Sequence, residues 1–176
     1  SKNALEQLRS GVADMAIYSS VPSKIKEDPG ELLYQEELVM AVPFSGNGEP
    51  EKEAGRENII DSNQLSASSL IIPVEDSHMG KLLYPLLRSY YVNLEDCYTA
   101  DSYSGISLLF QNGYGSAFLP SRLLAREKTK SYKIYHADPP MRYDLRFMAG
   151  ERLKKEKVAA DMLCLIRKQI QSSEEN

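Results

Sequence analysis

Residues 99–120 constrain the fold more than any other part of the chain, because a helix start, a helix stop and a buried strand follow one another there without a spacer. Asp101 or Ser102 is placed to cap a helix. Ile106, Leu109 and Phe110 fall on one face at i, i+3 and i+4, and Asn112-Gly113 supplies the left-handed exit on which helices end. Gly113 and Gly115 bracket Tyr114, so the chain reverses without a Cβ in the way, and residues 116–119 then read as a short inner strand. A strand-helix-strand unit follows from these local signals alone.

The rest of the chain repeats the alternation. It opens inside a helix, with Ala4, Leu5 and Leu8 as an apolar stripe and Gly11 as its stop, and residues 12–18 read as a strand. Residues 19–30 form a polar loop with Pro22 and Pro29, before two short extended runs at 32–34 and 38–42. Residues 45–57 hold almost no apolar side chain and several breakers, which predicts a solvated, mobile surface loop. Leu70-Ile71-Ile72-Pro73-Val74 has the length of a strand, and Glu75 to His78 form a polar helix entry. Leu82, Leu83, Leu86, Leu87 and Tyr90 then keep helical spacing around Pro85. Either that helix bends at Pro85 or its regular part begins there. A short helix at 121–127, an outer strand at 132–135 and a strand at 145–149 precede a long closing helix. Its apolar face is Val158, Met162, Leu165, Ile166 and Ile170, and its solvated first turns are residues 151–157. Strands and helices that alternate in this way predict an open α/β architecture.

Three segments resemble the effector-binding domain of LysR-type transcriptional regulators. They are the capped helix with Asn112-Gly113-Tyr114-Gly115 and the strand ending in Leu119-Pro120, the element running from Leu5 through Gly11 and Asp14 to Ile17, and Glu36 to Pro43. The resemblance implies a two-lobed fold like type-2 periplasmic binding proteins, with a ligand cleft between lobes joined by two crossover strands. It assigns residues 1–43 and 144–176 to a first lobe, left incomplete because the family's opening strand, helix and strand have no counterpart, and residues 44–143 to the second. It further implies a homodimer or tetramer in the full-length regulator, with DNA bound only through a winged helix-turn-helix outside this chain. A solute-binding receptor of the same fold, serving a transporter, is the alternative.

Composition bounds the remaining choices. With 176 residues, 42% of them hydrophobic and 26% charged, there is material for one domain or two small lobes. A formal net charge of -4 opposes nonspecific attraction to a phosphate backbone, and the chain has no zinc-finger, helix-turn-helix or aromatic RNA-binding signature. No apolar run reaches the length of a bilayer and the first residues lack a leader pattern, so a cytoplasmic protein without membrane contact is expected. Cys97 and Cys164 lack metal or redox spacing and read as two reduced, semi-buried thiols. No metal or cofactor is implied.

In open α/β sheets, ligands gather where strands end and the following helices present free N–H groups. Two such junctions are legible, one with Val74, Ser77 and His78, the other with Asp101 and Ser102. Ser19 and Ser20, after the strand ending at Tyr18, are candidates on the first lobe. The resemblance implies a small effector there, a carboxylate or another anion, with Ser77, Ser102 and neighbouring amides as donors. Capping alone would also explain Asp101 and Ser102, and His78 would equally serve as a partly exposed helix residue. Glu75 and Asp76 oppose an anion unless they point outward, which leaves a cationic, zwitterionic or hydroxyl-rich effector as the alternative. An enzyme is not expected: Asp76, Ser77 and His78 are triad residue types, but neighbours at a helix start diverge, and there is no Gly-x-Ser-x-Gly elbow or phosphate loop.

Overall fold

The computed structural model describes residues 2–21, 30–44, 58–66, 69–125 and 132–172. The loop expected at 45–57, most of the one at 19–30, and the last two residues of the short helix expected at 121–127 lie outside the described residues. By its contacts the chain divides into two compact units, residues 1–35 with 143–176 and residues 36–142.

The first unit holds α1 (Lys2–Arg9), β1 (Met15–Ser20), the opening of β2 (Glu31–Pro43), nearly all of β7 (Arg142–Ala149) and α6 (Lys157–Ser172). β1 pairs antiparallel with β7 from Met15 opposite Ala149 to Ser20 opposite Asp144, and β7 is its only strand neighbour among the described residues. Its side chains alternate in and out, with Ala16, Tyr18 and Ser20 buried, as a strand with one covered face requires. Asp144 is buried and paired: Arg146 Nη2 donates to its Oδ2 at 2.8 Å, Gln35 Nε2 donates to its Oδ1 at 3.3 Å, and Arg146 Nη1 reaches the Gly30 carbonyl at 2.8 Å. Asp144 and Arg146 share a face because side chains two apart on a strand do.

The second unit is a sheet of order β2-β5-β3-β4, built from the rest of β2, β3 (Leu70–Pro73), β4 (Tyr98–Ala100) and β5 (Ser116–Pro120), with β6 (Tyr132–Tyr135) also on β2. β3 runs parallel to both β4 and β5, whereas β2 is antiparallel to β5 and β6. Its helices are α2 (Ser62–Ser66), α3 (His78–Ser89), α4 (Tyr103–Gln111) and α5 (Ser121–Ala125). Every residue of β5 is buried, as a strand covered on both faces and paired on both edges should be. Val39, Ile71, Ile106, Phe110, Ala117 and Leu119 form one apolar cluster around it. Glu36 is buried as well. Its Oε1 accepts from the Ser121 hydroxyl at 2.7 Å and from the amide of Glu37 at 3.0 Å, which ties β2 to the start of α5.

Several expectations are refined. Residues 32–34 and 38–42 belong to one strand, β2, whose polar Gln35 lies at the passage between the units. The first strand starts at Met15, and Val12 is 78% exposed. α3 runs unbroken through Pro85, which sits on its exposed side, where the carbonyl that loses its donor can turn to water. The chain at 151–156 makes turns rather than helix. α6 buries Ala159 and Leu163, whereas Val158, Met162 and Leu165 are exposed: the covered stripe is the neighbouring one, rotated by about one residue. Both thiols are free, but Cys164 is exposed rather than semi-buried. No helix among the described residues is long and apolar enough to cross a membrane.

Candidate functional site

β3 and β4 lie side by side in parallel, Pro73 opposite Ala100, so the chain leaves both strands at the same edge and enters α3 and α4 there. Val74, Ser77 and His78 are thereby brought beside Asp101 and Ser102. The Val74 amide donates to the Ala100 carbonyl at 3.1 Å, which fastens the two exits together. Ser19 and Ser20 end β1 in the other unit, Ser20 buried against β7 opposite Asp144 and Ser19 half-buried.

The two serines do different things. Ser77 caps α3 in extended conformation, its Oγ accepting from the Gly80 amide at 2.9 Å while its hydroxyl donates to the Val74 carbonyl at 2.7 Å. Its one proton is therefore committed to the scaffold. Ser102 caps α4, resolving the choice between Asp101 and Ser102, and its Oγ accepts from the Gly105 amide at 3.2 Å. Among the described residues nothing accepts the Ser102 hydroxyl proton, and the side chain is exposed. The first-turn amides of Met79 and Ser104 have no acceptor within their helices, as helix geometry dictates. Val74, by contrast, spends both backbone groups on the turn, since its carbonyl also accepts from the Ser77 amide at 3.0 Å.

The carboxylates beside these amides are partly neutralised. Arg88, in the last turn of α3, donates to Glu75 at 2.6 Å, and both side chains are about half exposed, so Glu75 is turned toward the surface. Asp76 and Asp101 are exposed. Burial of the His78 ring holds its pKa below the ordinary 6.5, with the charge of Lys81 acting in the same direction, so the ring is neutral at physiological pH. Ser77 has no role as a nucleophile in this arrangement, because its oxygen and proton both serve the cap.

Gly80 and Gly105 escaped the sequence reading. A Cβ on Gly80 would collide with the Val74 carbonyl and the Glu75 backbone, so only glycine lets α3 start this close to the β3 exit. Gly105 stands at the corresponding place in α4, against Ala100 and Ser102. The repeated signal Ser77-His78-Met79-Gly80 and Ser102-Tyr103-Ser104-Gly105 would have revealed both.

In sequence, the LysR substrate binding domain matches residues 1–155. The chain belongs to that family. No curated protein matches it in sequence. Its solved structural neighbours are regulatory domains of LysR-type regulators. The apo regulatory domain of HypT from Salmonella typhimurium superposes with a TM-score of 0.68 at 18% identity, covering 98% of this chain and 79% of that one. The regulatory domain of CcmR from Synechocystis, in complex with 2-PG, gives 0.65 at 17% identity, covering 94% and 77%. DarR from Vibrio fischeri, in complex with DNA, gives 0.67 at 15% identity over 94% of this chain but 54% of that one, so this chain spans about half the length of DarR. The fold is α/β and periplasmic-binding-protein-like, and the family is one of transcriptional regulators.

Proposed function

We propose that this LysR-type domain senses a small anionic effector, a carboxylate foremost, at the joined exits of β3 and β4. The observation that carries the reading is the division of labour there: Ser77 is consumed by its cap, while Ser102 keeps a free hydroxyl beside first-turn amides of two adjacent helices. Helix starts carry partial positive charge, and the Arg88 pair draws Glu75 away from opposing an anion. The bromide-bound form of the HypT regulatory domain and the CcmR domain in complex with 2-PG accord with ligand binding on this fold. Ser102 and the amides of Met79 and Ser104 are the donors, His78 a neutral neighbour, and Val74 and Ser77 hold the frame.

In this reading residues 1–43 with 144–176 and residues 44–143 act as two lobes of a sensor, Ser19 and Ser20 supplying ligand contacts from the first. Effector binding favours one lobe arrangement and so changes the geometry of a regulator dimer or tetramer on DNA. The domain binds and releases its ligand unchanged; it performs no catalysis. A thermal-shift screen of small mono- and dicarboxylates tests this, because a ligand of the folded state raises the melting temperature by mass action. A hit should lose about tenfold in affinity on Ser102→Ala, the cost of a hydrogen bond to a charged group. Unchanged affinity in that variant refutes the site.

A further inference from the structure

At the opposite ends of the same strands, where β3 and β4 begin, the second unit has an open cavity of about 330 Å³. Ser69, Tyr90, Tyr91, Asn93, Asp96 and Cys97 supply its polar and aromatic lining. Among the described residues that line it, Asp96 is the one charged residue. Its Oδ2 accepts from the Asn93 side-chain amide at 2.8 Å, while nothing among the described residues occupies Oδ1. Cys97 donates to the Asn93 carbonyl at 3.6 Å, and burial, followed by the negative charge of Asp96, raises its thiol pKa, so sulfur adds no second anion.

Tyr91 is the anomaly. It follows the C-cap of α3 with φ +56°, in the left-handed region where that position ordinarily takes glycine. A tyrosine is strained there, and packing gives nothing in return, because the residue is 95% exposed. Tyr91 and Asp96 both line the cavity. An aromatic face with a carboxylate beside it attracts a positive group from two directions.

We infer that this cavity is a second ligand site, separate from the α3 and α4 entrances, that takes a small organic cation such as a primary ammonium or guanidinium group. Tyr91 supplies the aromatic face and Asp96 the counter-charge.

Titration of the ¹⁵N-labelled chain with butylammonium, with butanol as the neutral control, tests it. Butylammonium should shift the amides of Tyr91, Asn93 and Cys97 saturably, and butanol should not. Tyr91→Gly should raise the melting temperature by about 2 °C as the strain is relieved, yet weaken butylammonium binding about fivefold. Asp96→Asn, which keeps the shape of the side chain, should weaken it similarly. The inference is overturned if butylammonium gives no saturable shift, if butanol shifts the same amides equally, if the shifts fall at residues 102–105 instead, or if Tyr91→Gly and Asp96→Asn bind as the parent does.

Discussion

β5 and β1 are both short strands beside a helix, yet one is buried at every residue and the other at alternate residues. The contrast extends to their units. Phe118, Leu38, Met40, Ile71, Leu83 and Leu87 in residues 36–142 are fully buried, whereas the best-covered apolar side chain described in residues 1–35 and 143–176 is Tyr143, at 2% exposure. β5 has a strand on each side and α4 and α5 against it, so small apolar residues in unbroken run are what its sequence must be. Among the described residues β7 is the one strand paired with β1, and Ile17 is about half exposed. The first unit also holds a buried polar group, in which Asp144 accepts from Arg146 and Gln35, where the second buries Phe118 and Leu119. Burial depth, rather than the kind of element, separates the two.

Mutations that excavate the two units should therefore differ most. Phe118→Ala should cost about 3–5 kcal/mol, and Leu163→Ala in the first unit about 2 kcal/mol, since the lost area and the cavity left behind are both smaller where the neighbours are exposed. Urea denaturation of each variant measures this, and equal losses would remove the contrast. Amide hydrogen exchange sharpens the same point residue by residue: β5 should be protected to the limit of global unfolding, and β1 should open through smaller fluctuations.

Next in size is Arg146→Met, which leaves Asp144 buried without its cation. Breaking such a pair costs about 3 kcal/mol when it is fully enclosed, and the partial exposure of Arg146 lowers the expectation to about 2 kcal/mol. Asp144→Asn combined with Arg146→Met should recover part of the loss. If the single variant is as stable as the parent, the first unit does not depend on this group.

A finer comparison concerns the two caps. Ser77→Ala should lose about 1 kcal/mol of stability, because a cap bond and a second bond to Val74 go together, while Ser102→Ala loses less, its single bond being longer and exposed. Ligand affinity should reverse the order, with Ser102→Ala the more damaging. Both measurements on both variants separate scaffold from site, and a Ser77→Ala protein of full stability would show that the division between them is wrong.

The strand and helix punctuation from Leu70 to Pro120 was readable because each signal there is local: Ser77 and Ser102 cap, Gly113 exits at φ +77°, and β5 is apolar throughout. The face of α6 was not readable. Val158, Met162 and Leu165 of the expected face are exposed while Ala159 and Leu163 are buried, and the apolar pattern of the helix does not choose between these neighbouring stripes. The strand exits that the proposed site uses were legible as a place, since parallel strands end where helices begin. The roles within it were not, because Ser77 and Ser102 have the same residue type, the same capping position and a glycine three residues on, and differ only in whether a carbonyl lies within reach of the hydroxyl.

His78 sets the smallest expected effect and tests whether the site is as enclosed as the cap geometry implies. Its pKa in the folded chain is depressed, chiefly by burial, so folding favours the neutral ring. Above the unfolded value of about 6.5 both states are neutral and the residue adds no pH dependence. As pH falls below that value the unfolded chain takes up the proton first, so stability declines until the lowered folded pKa is passed, and then levels off. His78→Gln, which does not titrate, should flatten the stability curve in this window and leave it unchanged above pH 7. NMR titration of the ring protons measures the folded pKa directly. A value at or above 6.5 would mean that burial does not hold the ring neutral, and that the entrance to α3 is more open to water than the burial of His78 implies.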